Sequence, residues 1–312
     1  MNYRKTCSSF KSSNKVNDIA YYIYEPLCDI RGILQISHGM CEYIERYEEF
    51  IDYMASQGIL VCGNDHLGHG NSIRSEDDLG YFAPENGWKH LVKDLKCLTD
   101  LVKEKYPFVP YFILGHSMGS FLLRAYIMEY GSELRGVIIS GTGGPNPLAG
   151  FGEYLSKFMI KRKGQRYRSK LFNKIFFHGF NKGIREDLST FSWLTHDTSI
   201  VTQYTNNLKC NYIFTLNGFH NLIKVQRLTT NRAWANSIPK DIPKLIISGD
   251  KDPVGNWGKG INYTYNSLLK ANVVDVTLKL YKDGRHEMLN EINRYEVYDD
   301  IWKWMKQYIS PL

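Results

Sequence analysis

No stretch of about 18 apolar residues occurs anywhere in the 312-residue chain, which leaves nothing long enough to cross a bilayer as a helix. Met1 to Lys15 are polar and hold no apolar core of the kind a secretory signal carries, so a cytoplasmic location is expected. The six cysteines (Cys7, Cys28, Cys41, Cys62, Cys97, Cys210) include no C-x-x-C pair. Such scattered thiols exclude a disulfide framework and a zinc ribbon and read as reduced side chains. No internal repeat stands out, which argues against a solenoid. Neither charge is in large excess: 39 basic against 32 acidic residues give +7. A surplus that small reads as an ordinary solvated surface, and no nucleic-acid partner is expected. With 43% hydrophobic and 23% charged residues, the composition is that of a globular protein with ample chain for a core. The length suits one large α/β domain carrying an insertion.

What is present centres on Tyr111-Phe-Ile-Leu-Gly-His-Ser-Met-Gly-Ser120. An apolar run of strand length breaks into Gly115-His116-Ser117-Met118-Gly119 and then into helix-forming residues, about Met118 to Tyr130. The G-x-S-x-G spacing fits a nucleophile elbow: Ser117 sits on a strained turn, and side chains at 115 or 119 would collide with the neighbouring strand and helix. The helix N-terminus then points its dipole and the Met118 N–H at the site of developing negative charge.

Further strands are expected at Ile19–Glu25, Gly32–Ser37, Ile59–Asn64, Arg135–Gly141, Lys244–Ser248 and Val273–Tyr281. Helices are expected at Tyr43–Gln57, Gly87–Lys105 and Tyr295–Ile309, each with apolar residues on one face. Loops at the carboxyl ends of such strands face the crevice where ligands bind. His38-Gly39-Met40 is one of them, and the Met40 N–H is expected to join that of Met118 around an oxyanion. Asp65, His66 and His69 hold donor atoms for a metal, but their glycines and Ser72 fit a tight loop better. Neither a metal nor any cofactor is expected.

From Thr142 to about Asn231 the chain is aromatic, basic and without strands. The domain reading is a core of residues 1–142 and 232–312 with a helical cap inserted at 143–231. Lys157–Lys174 carries eight basic residues and no acid, flanked by Phe151, Tyr154, Phe158, Leu171, Phe172 and Ile175. One reading is a peripheral contact with an anionic membrane surface or a lipid headgroup. The other is a solvated cap helix.

A serine hydroxyl needs an imidazole to take its proton, and the imidazole needs an acid to fix its tautomer. Of nine histidines, His286 alone follows a late strand. Asp250 and Asp252 both end an earlier one; Asp252 lies further along its loop and is the favoured acid, with Asp250, which also suits a turn, as the alternative. The order Ser117, Asp252, His286 is that of an α/β-hydrolase.

As a set, the motifs resemble the monoacylglycerol lipase and lysophospholipase group of α/β-hydrolases, including members labelled serine aminopeptidase-like, from about Ile19 to the C-terminus. The carrying residues are His38-Gly39-Met40 with Glu42, Arg46 and Tyr47, then Asp65 to Ser72, Gly115 to Gly119, Gly249-Asp-Lys-Asp252, and Arg285-His286-Glu287 with Asn290-Glu291. Phe191-Ser-Trp193-Leu-Thr-His-Asp197 is similar to a cap segment of bacterial members. The resemblance implies a mostly parallel central sheet flanked by helices, with Ser117 as nucleophile, Asp252 as acid, His286 as base and Met40 and Met118 as oxyanion donors. It also places Glu42, Arg46 and His116 at the substrate. Cys41 stands where that group usually has glycine, so a positive φ there would strain the loop. Its position beside the oxyanion loop leads us to expect sensitivity to thiol reagents.

The function expected is hydrolysis of a single-chain lipid ester, with the cap covering the acyl chain and its basic residues selecting an anionic or zwitterionic head. The alternatives are a small-ester carboxylesterase, an aminopeptidase with acidic groups near the crevice, or a non-catalytic ligand-binding protein on the same scaffold. The oligomeric state is not legible.

Overall fold

The unbroken apolar runs of the middle of the chain form strands buried on both faces, as parallel sheets require. A computed structural model describes residues 1–184 and 189–309. Residues 185–188, in the insertion, and 310–312 lie outside the described residues. Eight strands form one sheet in the order β1-β2-β4-β3-β5-β6-β7-β8. These are β1 (Tyr3–Lys11), β2 (Asp18–Pro26), β3 (Gly32–Ser37), β4 (Ile59–Asn64), β5 (Tyr111–His116), β6 (Gly136–Ser140), β7 (Lys244–Gly249) and β8 (Val276–Tyr281). The β1–β2 and β2–β4 pairs are antiparallel, and every other pair is parallel.

Period-two alternation sorts the strands' side chains into two layers. On one face, Ile33, Ile113, Ile139 and Ile246 pack under α2 (Gly87–Lys105), α3 (Met118–Tyr130) and α8 (Lys259–Lys270). On the other, Leu34, Ile36, Leu114, Ile138 and Ile247 meet α1 (Glu48–Ser56) and α9 (Arg294–Lys306), through Phe50, Met54, Ile301 and Met305. Between β6 and β7 the chain leaves the sheet for α4 (Ala149–Lys163), α5 (Lys170–Phe176), α6 (Thr198–Asn206) and α7 (Leu216–Thr230). Three of these helices start on a side-chain cap: Ser169 accepts from Phe172 N–H, Asp197 from Ser199 N–H, and Thr215 from Gly218 N–H. Each such cap contributes about 1 kcal/mol.

Three elements differ from the sequence expectation. The polar N-terminal stretch is an edge strand, β1. Its side chains are largely exposed, and its stability comes from backbone pairing along the whole Tyr3↔Pro26 to Lys11↔Asp18 register, a composition suited to an edge. The helix expected from Tyr43 is a 3-10 turn at Ile44–Tyr47 before α1. Asp65 Oδ1 accepts the Ile44 N–H at 3.0 Å and so fixes that turn from outside. Helix α8 was not anticipated, because its buried face is only Gly260, Ile261, Thr264 and Leu268. No described helix is long and apolar enough to cross a membrane.

Candidate active site

The loops that leave the carboxyl ends of β3, β5, β7 and β8 converge over the sheet. Ser117 has φ 53° and ψ −119°, a conformation costly for any residue but glycine. The surroundings enforce it. A Cβ on Gly119 would lie 1.9 Å from Ser37 O, and one on Gly115 would lie 2.5 Å from Gly119 O, so helix α3 can pack this closely only over bare backbone. The Ser117 N–H donates to Ser140 O at 3.0 Å, which ties the turn to β6.

Ser117 Oγ lies 2.9 Å from His286 Nε2, and His286 Nδ1 lies 2.9 Å from Asp252 Oδ2. The carboxylate can only accept, so Nδ1 carries the proton and Nε2 is free to accept from the serine. Asp252 is fully buried, and its remaining capacity is filled by Ser248 Oγ (3.1 Å) and Val254 N–H (2.8 Å). Asp250 instead accepts from Asp283 N–H and pairs with Lys251, bracing the turn. The His286 ring lies against Trp193 of the insertion and His116, with ring centroids 4.9 and 4.8 Å away.

Burial works against the His286 imidazolium, but the charge and hydrogen bond of Asp252 outweigh it, and Glu287 and Glu42 add to them. The pKa is therefore raised above its ordinary 6.5. A base must be neutral to act, so the acid limb of kcat/KM is expected to have its midpoint above pH 6.5. For stability the sign reverses. A raised histidine pKa stabilises the fold below the unfolded value of about 6.5, and that contribution is lost as pH rises through the folded value. A kcat/KM profile and a series of thermal melts over the same pH range check both slopes. His116 behaves oppositely, since burial and the neighbouring His286 push it down to about 3 and keep it neutral.

The Met40 and Met118 N–H groups donate to no acceptor among the described residues, and both residues line the cavity above Ser117. Cys41, which follows Met40 and also lines the cavity, has φ 55°. This is the left-handed conformation that glycine adopts without cost, and the cysteine side chain carries roughly 1 kcal/mol of strain there. The thiol donates to Tyr212 O at 3.5 Å, and burial pushes its pKa well above the ordinary range. Thiolate is the species that reagents attack. Alkylation of Cys41 by iodoacetamide at pH 7 is therefore expected to be slow, against the sensitivity expected from sequence. Peptide mass spectrometry of treated protein reads this directly.

Of the three residues expected at the substrate, His116 and Glu42 line the cavity and Arg46 does not. Both Glu42 oxygens are already occupied, by Gly39 N–H and Tyr47 OH on one and Arg46 on the other. Arg46 turns away to form a two-pronged pair with Glu287. Sequence reasoning quoted Glu287 but gave it no role, and only its place next to His286 could have signalled one. Asp65 is likewise committed locally, whereas His66 Nδ1 and His69 Nε2 are buried with no hydrogen-bond partner among the described residues. Asp65 accepts from Ile44 N–H, Asn71 N–H and Tyr22 OH, and burial drives His66 down to about 3 and His69 to about 4.

Above Ser117 opens a cavity of about 1070 Å³, at the upper end of ligand pockets, which run to about 1,000 Å³. Its walls are mainly apolar and come largely from the insertion, including Phe151, Leu155, Phe176, Phe191, Leu222 and Ile223. Among the described lining residues there is no lysine or arginine. The basic residues of 157–174 therefore stand outside it, which removes the basis for head selection by those groups within the cavity.

Strand order, inserted helices and the serine elbow together define an α/β-hydrolase, an enzyme of the esterase and lipase group. The chain belongs to the serine aminopeptidase S33 family, whose sequence model matches residues 29–293. It is 26% identical to the monoacylglycerol lipase of Mycolicibacterium smegmatis over 294 residues, covering 93% of this chain and 94% of that one. Against the monoglyceride lipase of Mus musculus it is 28% identical over 294 residues, covering 92% and 86%. Among solved structures, a thermostable carboxyl esterase from Bacillus coagulans in complex with glycerol superposes with a TM-score of 0.92 at 29% identity, covering 98% of this chain and 99% of that one.

Proposed function

We propose that the protein hydrolyses single-chain acylglycerol esters through an acyl-enzyme on Ser117. The observation that carries this reading is the apolar cavity ending at the Ser117–His286–Asp252 relay and lined by no described cation. His286 takes the Ser117 proton as the hydroxyl attacks the ester carbonyl. The Met40 and Met118 N–H groups receive the developing oxyanion. His286 then protonates the departing alcohol, and water repeats the sequence to release the fatty acid. The inserted helices act as a cap over the acyl chain. Each methylene they take from water contributes about 0.8 kcal/mol, or roughly a fourfold gain in kcat/KM, until the cavity is full.

The head is uncharged on this reading. A phosphate brought among these side chains would lose its water without meeting a counterion, at a cost of several kcal/mol. An aminopeptidase substrate fares no better, because the two carboxylates among the described lining residues, Glu42 and Glu287, are both paired with Arg46. Comparing a long-chain monoacylglycerol with the lysophosphatidate of the same chain tests this. The monoacylglycerol is expected to be favoured by at least about a hundredfold in kcat/KM, from about 3 kcal/mol of unpaired charge. Equal rates would contradict the uncharged head, and amide cleavage would revive the aminopeptidase.

We propose also that the substrate enters from a membrane surface, on the strength of the outer face of α4. Phe151, Tyr154 and Phe158 are exposed there in helical register, followed by exposed Lys161 and Arg162. Leu171 and Ile175 of α5 are exposed as well. Phe151 and Ile175 also line the cavity. Aromatic and basic residues on one helix face suit an anionic interface. Co-sedimentation with phosphatidylglycerol vesicles, reduced by Phe151→Ser with Phe158→Ser, is the expected result. Equal sedimentation of wild type and variant would remove the proposal.

A further inference from the structure

We propose that Arg46 is a positioning residue that sets the distance between the oxyanion loop and the catalytic base. This rests on the reading of Ser117, His286 and the Met40 loop given above, and it assigns the buried ion cluster beneath them.

The cluster connects two loops that are 241 residues apart at their point of contact. At one end Glu42 accepts the Gly39 N–H and the Tyr47 hydroxyl, the latter at 2.9 Å. Gly39 immediately precedes Met40, and it is wedged: a Cβ there would lie 2.5 Å from Glu42 Oε1 and 3.0 Å from Ser117 Cβ. The Gly39 Cα, which leads into the peptide that presents the Met40 N–H, thus packs closely against both the Glu42 carboxylate and the nucleophile. At the other end Glu287 follows His286 in the chain. Arg46 spans the two, with Nη1 2.8 Å from Glu42 Oε2 and 2.9 Å from Glu287 Oε1, and Nη2 2.8 Å from Glu287 Oε2. Asn290 Nδ2 donates to Glu287 at 2.8 Å and fixes the carboxylate's rotation.

The planar fork of a guanidinium fixes both angle and distance, which an ammonium does not. All three side chains are nine-tenths or more buried, so water cannot substitute for a lost partner. Burial opposes ionisation of Glu287, but the charge and hydrogen bonds of Arg46 overcome it and hold that carboxyl well below its usual range. Burial pushes Glu42 the other way. One guanidinium therefore serves two buried carboxylates, a composition poorly suited to stability alone, since an apolar replacement of such a cluster is often neutral or better. Its geometric consequence is specific. The Met40 N–H and His286 must both address one tetrahedral centre on Ser117, and the Glu42–Arg46–Glu287 bridge is a side-chain path that joins their loops. The same bridge touches the insertion, because Arg46 lies 4.8 Å from the Tyr204 ring and Glu287 N–H donates to Leu194 O at 2.7 Å.

The test measures kcat, KM and binding of two inhibitors for Arg46→Met, Arg46→Lys and Glu287→Gln. One inhibitor is an alkyl boronic acid, which forms a tetrahedral adduct on the serine. The other is the ether analogue of a monoacylglycerol, which does not. Loss of one oxyanion donor costs about a hundredfold or more in kcat. Arg46→Met is expected to lose that much kcat and boronate affinity together, with KM and ether affinity within about threefold. Arg46→Lys and Glu287→Gln keep a partner for every charge, so they carry the test should Arg46→Met fail to fold. Each is expected to lose about tenfold in kcat and boronate affinity alone, part of the loss of one donor. A merely structural role would lower the melting temperature but leave the ratio of boronate to ether affinity unchanged. That unchanged ratio, or kcat within threefold of wild type in both conservative variants, would overturn the proposal. A wild type without Ser117-dependent turnover would instead strike the reading of the site on which it rests.

Discussion

Ser117→Ala is expected to lower kcat by roughly 10⁵- to 10⁶-fold, the loss seen when the nucleophile of a serine relay is removed. The fold is expected to survive unaltered, for reasons visible at the elbow. Among the described residues the only hydrogen bond of Ser117 Oγ runs to His286, so no other described buried group loses a partner. Alanine keeps the same Cβ at φ 53°, so the strain of the turn neither rises nor falls. Turnover measured beside a thermal melt separates the two effects. Residual activity above about a thousandth of wild type, with the melt unchanged, would place the nucleophile elsewhere, because removing a relay member leaves only the much smaller contribution of binding and the oxyanion hole.

Gly119→Ala is expected to do the reverse, damaging the fold before the chemistry. Its Cβ would stand 1.9 Å from Ser37 O and 2.5 Å from His38 O. Both are backbone atoms at the end of β3, a central strand paired with β4 and β5. Ser37 O cannot move without straining the β3–β5 ladder, so relief must come from displacing α3. A cost of about 3 kcal/mol or more is expected, at the top of the range for overpacking. Denaturant unfolding reads it as a shift of midpoint without a change of slope. A shift worth under 1 kcal/mol would mean that helix and strand are held less closely than described.

Much of this architecture was legible because a parallel sheet writes itself as apolar runs. The strands at 59–64 and 111–116 and the turn after the latter follow from residue type alone, as does the elbow's need for glycine at 115 and 119. The conditional expectation at Cys41 also met its condition, since φ there is positive. Edges and pairings were less legible. The polar strand β1 carries no hydrophobic signal because its stability lies in backbone pairing. Arg46 could be picked out by resemblance, yet its partner Glu287 lies on a loop that only the folded sheet brings near. Charge runs deceived in a similar way: the lysines and arginines of 157–174 are dense in sequence, yet they stand outside the cavity.

The most direct measurement is labelling of the folded protein with a long-chain alkyl fluorophosphonate, located by peptide mass spectrometry in the presence and absence of a monoacylglycerol. The account predicts a single modified site at Ser117, slowed by the monoacylglycerol and absent once the protein is unfolded. Labelling at another residue, no labelling at all, or labelling indifferent to the monoacylglycerol would contradict it.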